Sequence, residues 1–240
     1  MLSIVGFGSG AQENMTLEAE NAISEADLVV GFTTYVELLK PYFPQKQFYA
    51  TKMMQEKERC VYAIGQAEQG KNVAIICSGD SGVYGMASLV YELAEGRELE
   101  IRVISGVTAA NSGAALLGAP LSHDFAVISL SDRMTPWELI EKRLRLAAQG
   151  DFVVCLYNPS SKKRADYLKK ACAVLMEEKS PDTVCGYVKN AGRSGQHTQV
   201  LSLRELQDTP VDMFTTVYIG NSQTKVIDGK MITPRGYQLS

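Results

Sequence analysis

The sequence predicts an α/β protein of two α/β domains, with a mainly parallel N-terminal sheet and a mixed C-terminal sheet. Three observations carry this expectation. In the first half, short apolar runs such as Leu2-Ser3-Ile4-Val5 and Val73-Ala74-Ile75-Ile76-Cys77 are separated by helix-like segments. Strands that are apolar along their length and divided by helices belong to a parallel sheet covered on both faces. Small-residue turns follow these runs, at 6–10, 78–85 and 105–111. After Gly118-Ala119-Pro120 the rhythm changes, and strands follow one another with fewer helices between them. The domain boundary is therefore placed after Gly118, giving domains of 1–118 and 119–240.

The elements follow in order. A strand at 2–5 runs into Gly6-Phe7-Gly8-Ser9-Gly10, and 16–26 reads as a helix with Leu17, Ala19 and Ile23 apolar. A second strand at 27–31 precedes a helix at 35–39 that stops before Pro41 and Pro44, because the residue before proline is disfavoured in α conformation. A short third strand is expected at 47–50, and a charged amphipathic helix at 56–69 closes on Gly70. Strands at 73–77 and 101–104 flank a helix-like 86–93, and an Ala- and Gly-rich helix at 109–117 must pack closely on a neighbour. In the second half, strands are expected at 125–130, 152–157, 183–188, 200–203 and 215–219. Helices are expected at 139–148 and 164–177. Thr135-Pro136-Trp137-Glu138 reads as a helix start, with Thr135 as N-cap and Glu138 completing a capping box. A closing hairpin over 225–233 turns at Asp228-Gly229. The pair Met53-Met54 and the aromatics Tyr42, Phe43, Phe48 and Tyr49 read as core.

Composition excludes several classes. The 240 residues are 45% hydrophobic and 21% charged, with net charge −3, as in an ordinary soluble globular protein. Slight acidity argues against nucleic acid as a partner, since such proteins carry a basic excess. No apolar run reaches the roughly 18 residues of a membrane span, so no membrane partner is expected. The N-terminal segment lacks a basic region before its apolar residues, so it is not read as a signal peptide. The five cysteines (Cys60, Cys77, Cys155, Cys172, Cys185) are odd in number and form no CxxC pair. That is the reduced pattern of a cytoplasmic protein, with no zinc or iron–sulfur signature and no metal site expected.

The chemistry concentrates at strand ends. Ser78-Gly79-Asp80-Ser81-Gly82-Val83-Tyr84-Gly85 forms a glycine-rich elbow between an apolar strand and a helix. Ligands of open α/β sheets bind where strands end, and glycines there admit close backbone approach. The spacing is not that of a phosphate-binding Walker loop, and no Lys-Ser/Thr pair follows. Asp80 either accepts hydrogen bonds from a ligand or caps the following helix. Gly6-Phe7-Gly8-Ser9-Gly10 shares half of a dinucleotide fingerprint, but Gly31 stands where the ribose-binding acid belongs, so that reading fails its context test. Further turns occur at Tyr157-Asn158-Pro159, 189–193 and Gly220-Asn221-Ser222. If both sheets point their strand ends inward, one cleft collects most of them. His123 and His197 are the two histidines, and a lone histidine is read as structural.

Taken together, 78–85 with Ser105-Gly106-Val107-Thr108-Ala109-Ala110 resembles the tetrapyrrole methylase family, which uses S-adenosylmethionine on corrin and sirohaem precursors. Within that family, Ile128-Ser129-Leu130-Ser131-Asp132-Arg133-Met134-Thr135-Pro136-Trp137 is similar to the C17-methyltransferases of cobalamin synthesis. So are Leu156-Tyr157-Asn158-Pro159-Ser160-Ser161 and Tyr187-Val188-Lys189-Asn190-Ala191-Gly192-Arg193. The similarity runs from Leu2 to about Thr224.

The resemblance implies two α/β domains with the cofactor, S-adenosyl-L-methionine, in the cleft between them, and a homodimer. It implies cofactor contacts from Ser78, Gly79, Asp80 and Val83 of the first elbow and from Thr108 and Ala109 of the second. Asn158, Ala191, Thr216 and Val217 would close the site from the C-terminal domain. Gly8 and Ser9 would face the tetrapyrrole substrate. It further implies methylation at C17 of precorrin-3B or cobalt-factor III with ring contraction, a step that moves protons; Ser129, Ser131 and Asp132 are the candidate catalytic groups. For Ser131 and Asp132 a plain polar turn is an equal reading. The substrate carries many carboxylates, and Arg133, Lys162, Lys163, Arg164 and Arg193 stand beside strand-end loops. Arg133, Arg164 and Arg193 are the expected carboxylate partners, and Lys163 reads as solvated surface. Rival readings keep the fold and change the acceptor, to another precorrin carbon, diphthamide or ribosomal RNA, or make the protein a non-catalytic corrin binder.

Overall fold

The computed structural model describes residues 1–161 and 164–238. It divides into two compact units, residues 1–109 and 110–240.

The first unit is a five-stranded parallel sheet in the order β3-β2-β4-β1-β5. Its strands are β1 (Leu2–Gly6), β2 (Leu28–Phe32), β3 (Gln47–Thr51), β4 (Val73–Cys77) and β5 (Ile101–Ile104). The connecting helices are α1 (Leu17–Glu25), α2 (Thr33–Leu39), α3 (Glu56–Glu68) and α4 (Ala87–Ala94). Strand alternation sends Ile4, Val30 and Ile75 to one face, beneath α3 and α4, and Val5, Val29 and Ile76 to the other, beneath α1 and α2. Burial of each such side chain contributes about 1.5–3 kcal/mol, which is why β1 and β4 are apolar at nearly every position. Thr16 caps α1, its hydroxyl accepting from the Ala19 N–H at 3.1 Å. Phe43 and Phe48 enter the core as expected. Met53 and Met54, read as core, are instead 42% and 70% exposed, because they lie in the turn between β3 and α3.

The second unit takes in all but the first residue of α5 (Ala109–Leu117) and carries a mixed sheet in the order β10-β9-β11-β8-β7. Its strands are β7 (Phe125–Ser129), β8 (Val153–Tyr157), β9 (Val184–Lys189), β10 (His197–Ser202) and β11 (Thr215–Ile219). β7 and β8 are parallel, while β11 runs antiparallel to both β8 and β9. Helices α6 (Trp137–Gln149), α7 (Tyr167–Leu175) and α8 (Leu203–Leu206) cover one face over Val154, Leu156, Val217 and Ile219. α5 covers the other over Cys155, Val188 and Tyr218. A small sheet joins β6 (Gly118–Ala119) to the hairpin β12 (Lys225–Ile227) and β13 (Lys230–Ile232). The hairpin turns at Asp228 and Gly229, whose φ values of 49° and 73° are those of a type I′ turn.

The division falls at Ala109, ahead of the boundary expected after Gly118, because α5 docks on the second sheet. Gly113 lies against the Tyr218 ring so closely that a Cβ would sit 2.2 Å from its hydroxyl oxygen. The expected capping box at Thr135 does not form. α6 begins one residue later, with Pro136 at the N-cap and no side-chain cap bond. The capping box of this unit is instead at Ser202 and Glu205, on α8, which periodicity over four residues does not reveal. The helix expected at 164–177 is shorter, spanning Tyr167–Leu175.

Candidate functional site

In the first unit all five strands end at one rim, as parallel pairing requires. Gly6 is level with Cys77 and Val5 with Ile104. Three small-residue loops therefore leave neighbouring strands side by side. Gly8 and Gly79 form a reciprocal bridge, each N–H donating to the other's carbonyl at 3.0 and 2.7 Å. Gly106 fits only as glycine, since a Cβ would lie 2.2 Å from the Gly79 carbonyl oxygen and 2.4 Å from that of Gly6. Gly79, with φ of 72°, abuts Thr108 and Ala109. The expected cofactor residues Ser78, Gly79, Asp80, Thr108 and Ala109 are thus brought together. Val83, 38% exposed, and the buried Gly8 and Ser9 stand on the same loops.

Asp80 is the hub of this rim. Its Oδ1 accepts from the Gly82 and Val83 N–H groups at 2.7 and 3.0 Å, and its Oδ2 from the Gly106 N–H at 3.0 Å. It does not cap α4, whose N-cap is Met86. The carboxylate instead closes its own elbow and ties it to the second one. An ionised carboxylate offers about four acceptor sites, and these three bonds take three of them. Ser81 adds a second tie, its hydroxyl donating to the Ile104 carbonyl at 3.0 Å.

The second unit has its own rim. β7, β8 and β9 end there, and β11 begins there: Ser129 is level with Tyr157, and Thr215 with Lys189. Asn158 follows β8 with φ of 53°, and its Nδ2 donates to Ser129 Oγ at 3.0 Å. The Ser131 N–H donates to the same Oγ at 3.2 Å. Arg164 Nη1 donates to Ser131 Oγ at 3.2 Å and pairs with Asp132 Oδ1 at 3.0 Å, while the Tyr167 hydroxyl donates to Asp132 Oδ2 at 2.5 Å. The Trp137 and Tyr167 rings pack at 4.7 Å. Ser129, Ser131, Asp132, Asn158 and Arg164 therefore form one network. The Tyr167 hydroxyl, then Arg164, hold the Asp132 carboxyl below its ordinary range, and Asp132 in turn pushes the Tyr167 phenol up. Asp132 is thus a carboxylate at neutral pH and a weak base. Its geometry serves to aim Arg164.

The remaining expected residues are placed as follows. Ala191 and the half-buried Arg193 follow β9, with the Arg193 N–H donating to the Asn190 carbonyl at 2.9 Å. Thr216 is 9% exposed on β11. Val217 is fully buried in the core beneath α6 and α7, its backbone paired on both sides, so it presents no side chain at the rim. Arg133 is exposed. Lys162 and Lys163 lie outside the described residues. Sequence reasoning missed Tyr167, which opens α7 three residues after Arg164 and whose hydroxyl meets Asp132 from 35 positions away along the chain. It also missed the hydroxyls of Tyr157 and Tyr218. The first accepts from the Ala110 N–H at 2.7 Å and the second donates to the Ala110 carbonyl at 2.8 Å, pinning the first turn of α5.

At the opposite rim of the second sheet, a cavity of about 330 Å³ is lined by Asp151, Lys179, Asp182, Ser222 and their neighbours. Lys179 is buried there, with Nζ donating to the carbonyls of Phe152 and Gly220 at 3.0 and 3.1 Å and facing Asp151 at 3.5 Å. Its three donors are used, so it is a structural pin. Among the described residues no group of three or more His, Cys, Asp or Glu is placed to hold a metal ion, and no helix is long and apolar enough to cross a membrane.

Two α/β units carrying small-residue loops at their strand ends define a class, and the sequence relationships name it. The model of the tetrapyrrole (corrin/porphyrin) methylase family matches residues 1–207, and the chain belongs to that family. It is 49% identical over 241 residues to the "Probable cobalt-factor III C(17)-methyltransferase" of Salmonella typhimurium, covering 100% of both chains. It is 37% identical over 246 residues to the precorrin-3B C(17)-methyltransferase of a Sinorhizobium species, covering 98% of this chain and 96% of that one. The crystal structure of the methyltransferase CobJ superposes with a TM-score of 0.90 at 35% identity, covering 97% of this chain and 99% of that one.

Proposed function

We propose that the protein is an S-adenosylmethionine-dependent C-methyltransferase of cobalamin biosynthesis, acting at C17 of cobalt-factor III or precorrin-3B with contraction of the ring. The observation that supports this most is similarity along the whole chain to methyltransferases bearing those names. The Ser129–Trp137 segment and the acidic balance weigh against rRNA and diphthamide acceptors of the same fold.

The first rim fits the cofactor. It presents backbone at glycines, small hydroxyl side chains and the exposed Val83, with no phosphate clamp, which suits a ligand that has an adenosyl group and no phosphate. Ser78, Gly79, Val83, Thr108 and Ala109 would hold it, with Asp80 shaping the loops that do. When bound, S-adenosylmethionine supplies an activated methyl group on a sulfonium centre, so the protein need only position the reactants. At the second rim Arg164 and Arg193, with Arg133, would receive substrate carboxylates. Arg164 is preset for this by Ser131, Asp132 and Tyr167. A cytoplasmic homodimer belongs to the same proposal.

Incubation with cobalt-factor III and methyl-labelled S-adenosylmethionine should give a product one methyl heavier with the spectrum of a contracted ring. No transfer to any tetrapyrrole would overturn the reading. Running metal-free precorrin-3B alongside decides whether the acceptor carries cobalt. Light scattering checks the dimer.

A further inference from the structure

Arg59 is a buried cation that the proposed site does not use. It lies early in α3 and is 4% exposed. Its Nε donates to Thr51 Oγ1 at 2.9 Å, and its Nη2 reaches the Lys52 carbonyl at 3.4 Å. Both acceptors are neutral. Among the described residues no carboxylate lies within ion-pair distance of it, whereas Arg97, Arg145, Arg164 and Arg204 each face one. The acids nearest in sequence are turned elsewhere, Glu56 to the Met54 N–H and Glu58 to the Gln55 amide. A guanidinium carries five N–H donors and cannot shed its charge. Burying most of it without a counter-charge is costly; two neutral contacts, one of them long, hold Nε and Nη2, and Nη1, which has neither, is not a fully buried atom and so is open to an incoming group.

Its position is informative. Thr51 ends β3 and is level with Phe32 at the end of β2. This is the rim at which the elbows of β1, β4 and β5 lie. We propose that Arg59 binds a carboxylate of the ligand at this rim. The planar fork matches a carboxylate with two parallel hydrogen bonds. The proposal rests on the function proposed above, which supplies two sources of that group: the amino-acid end of S-adenosylmethionine and the side chains of the tetrapyrrole.

The test is calorimetric titration of the wild-type chain, Arg59→Gln and Arg59→Lys, each with S-adenosylhomocysteine, with cobalt-factor III, and with the methyl esters of both. Arg59→Gln is expected to weaken one acid at least tenfold and leave the other within twofold, which identifies the source. Esterifying that ligand should cost as much in wild type and nothing further in Arg59→Gln, while Arg59→Lys keeps part of the affinity. A folded Arg59→Gln that binds both acids as wild type does overturns the proposal and leaves the function intact. A wild type that binds neither ligand sinks both. Thermal unfolding checks each variant. Should Arg59→Gln not fold, wild type with ¹⁵N-labelled arginine is titrated instead, with the Arg59 Nε–H signal assigned by Arg59→Lys. That signal should move with the acid and stay with the ester; no movement with either acid overturns the proposal.

Discussion

Asp80 holds three backbone N–H groups on two oxygens, two from its own elbow and one from Gly106. Leaving such donors without an acceptor costs about 1–3 kcal/mol each when buried, and these are partly exposed. Asp80→Ala should therefore destabilise the chain by about 1–3 kcal/mol in urea unfolding and also weaken S-adenosylhomocysteine in calorimetry. Asp80→Asn, which keeps the Oδ1 acceptor, should lose less on both counts. A stability unchanged by the Ala variant would refute the hub role. The sequence singled out Asp80 but left cap and ligand roles open, because one residue's neighbours in the chain do not reveal that Gly106 comes to meet it. Asp132 gives a second test. Its carboxyl is held below the ordinary 3.8 by Tyr167 and Arg164. A depressed folded value stabilises above the unfolded value, and that stabilisation is lost as pH falls through the folded value. A ¹³C carboxyl titration should place the Asp132 midpoint below 3.8 in wild type and move it up in Tyr167→Phe. An unmoved midpoint would show that the hydroxyl does not hold the charge.

At the scale of elements, close approach decides more than propensity does. Gly106→Ala would drive a methyl into two carbonyl oxygens of neighbouring loops. Overpacking costs about 1–3 kcal/mol and occasionally more, and no flexible side chain is present here to give way. The variant should lose at least that much in unfolding free energy and lose cofactor binding with it. Gly113→Ala meets the Tyr218 ring instead. It should lower the unfolding midpoint and break the bond from Tyr218 to the Ala110 carbonyl, which loss of hydrogen-exchange protection in the first turn of α5 would report. The small-residue composition of α5 announced a close neighbour, but only the tertiary structure identified it as Tyr218 and moved the helix into the second unit. α6 shows the converse. Thr135 and Glu138 have the spacing of a capping box, yet the helix starts after Pro136, whose extended ψ of 145° leaves Thr135 a residue too far away to cap.

At the scale of the whole molecule, all five cysteines are buried and unpaired. Burial pushes the thiol of Cys77 up to about 11 and those of Cys60 and Cys172 up to about 12, and raises Cys155 and Cys185 as well. Since the thiolate is the reactive form, the native protein should react with an aromatic disulfide reagent at none of them at pH 8 and at all five once unfolded in guanidinium. Rapid reaction of a native thiol would contradict this packing. The sequence by itself determined the two α/β sheets, the small-residue loops at their strand ends and the family, because apolar runs, their spacing and glycine-rich turns are properties of contiguous residues. It singled out the segments 78–85, 105–110 and 128–137 as candidates. Only the tertiary structure decided what each polar group within them touches. Asp80 ties two elbows, Asp132 is held by Arg164 and Tyr167, and Arg59 is buried without a carboxylate. Those partners lie between 8 and 35 residues away along the chain, where strand order and register, and not local pattern, determine which side chains meet.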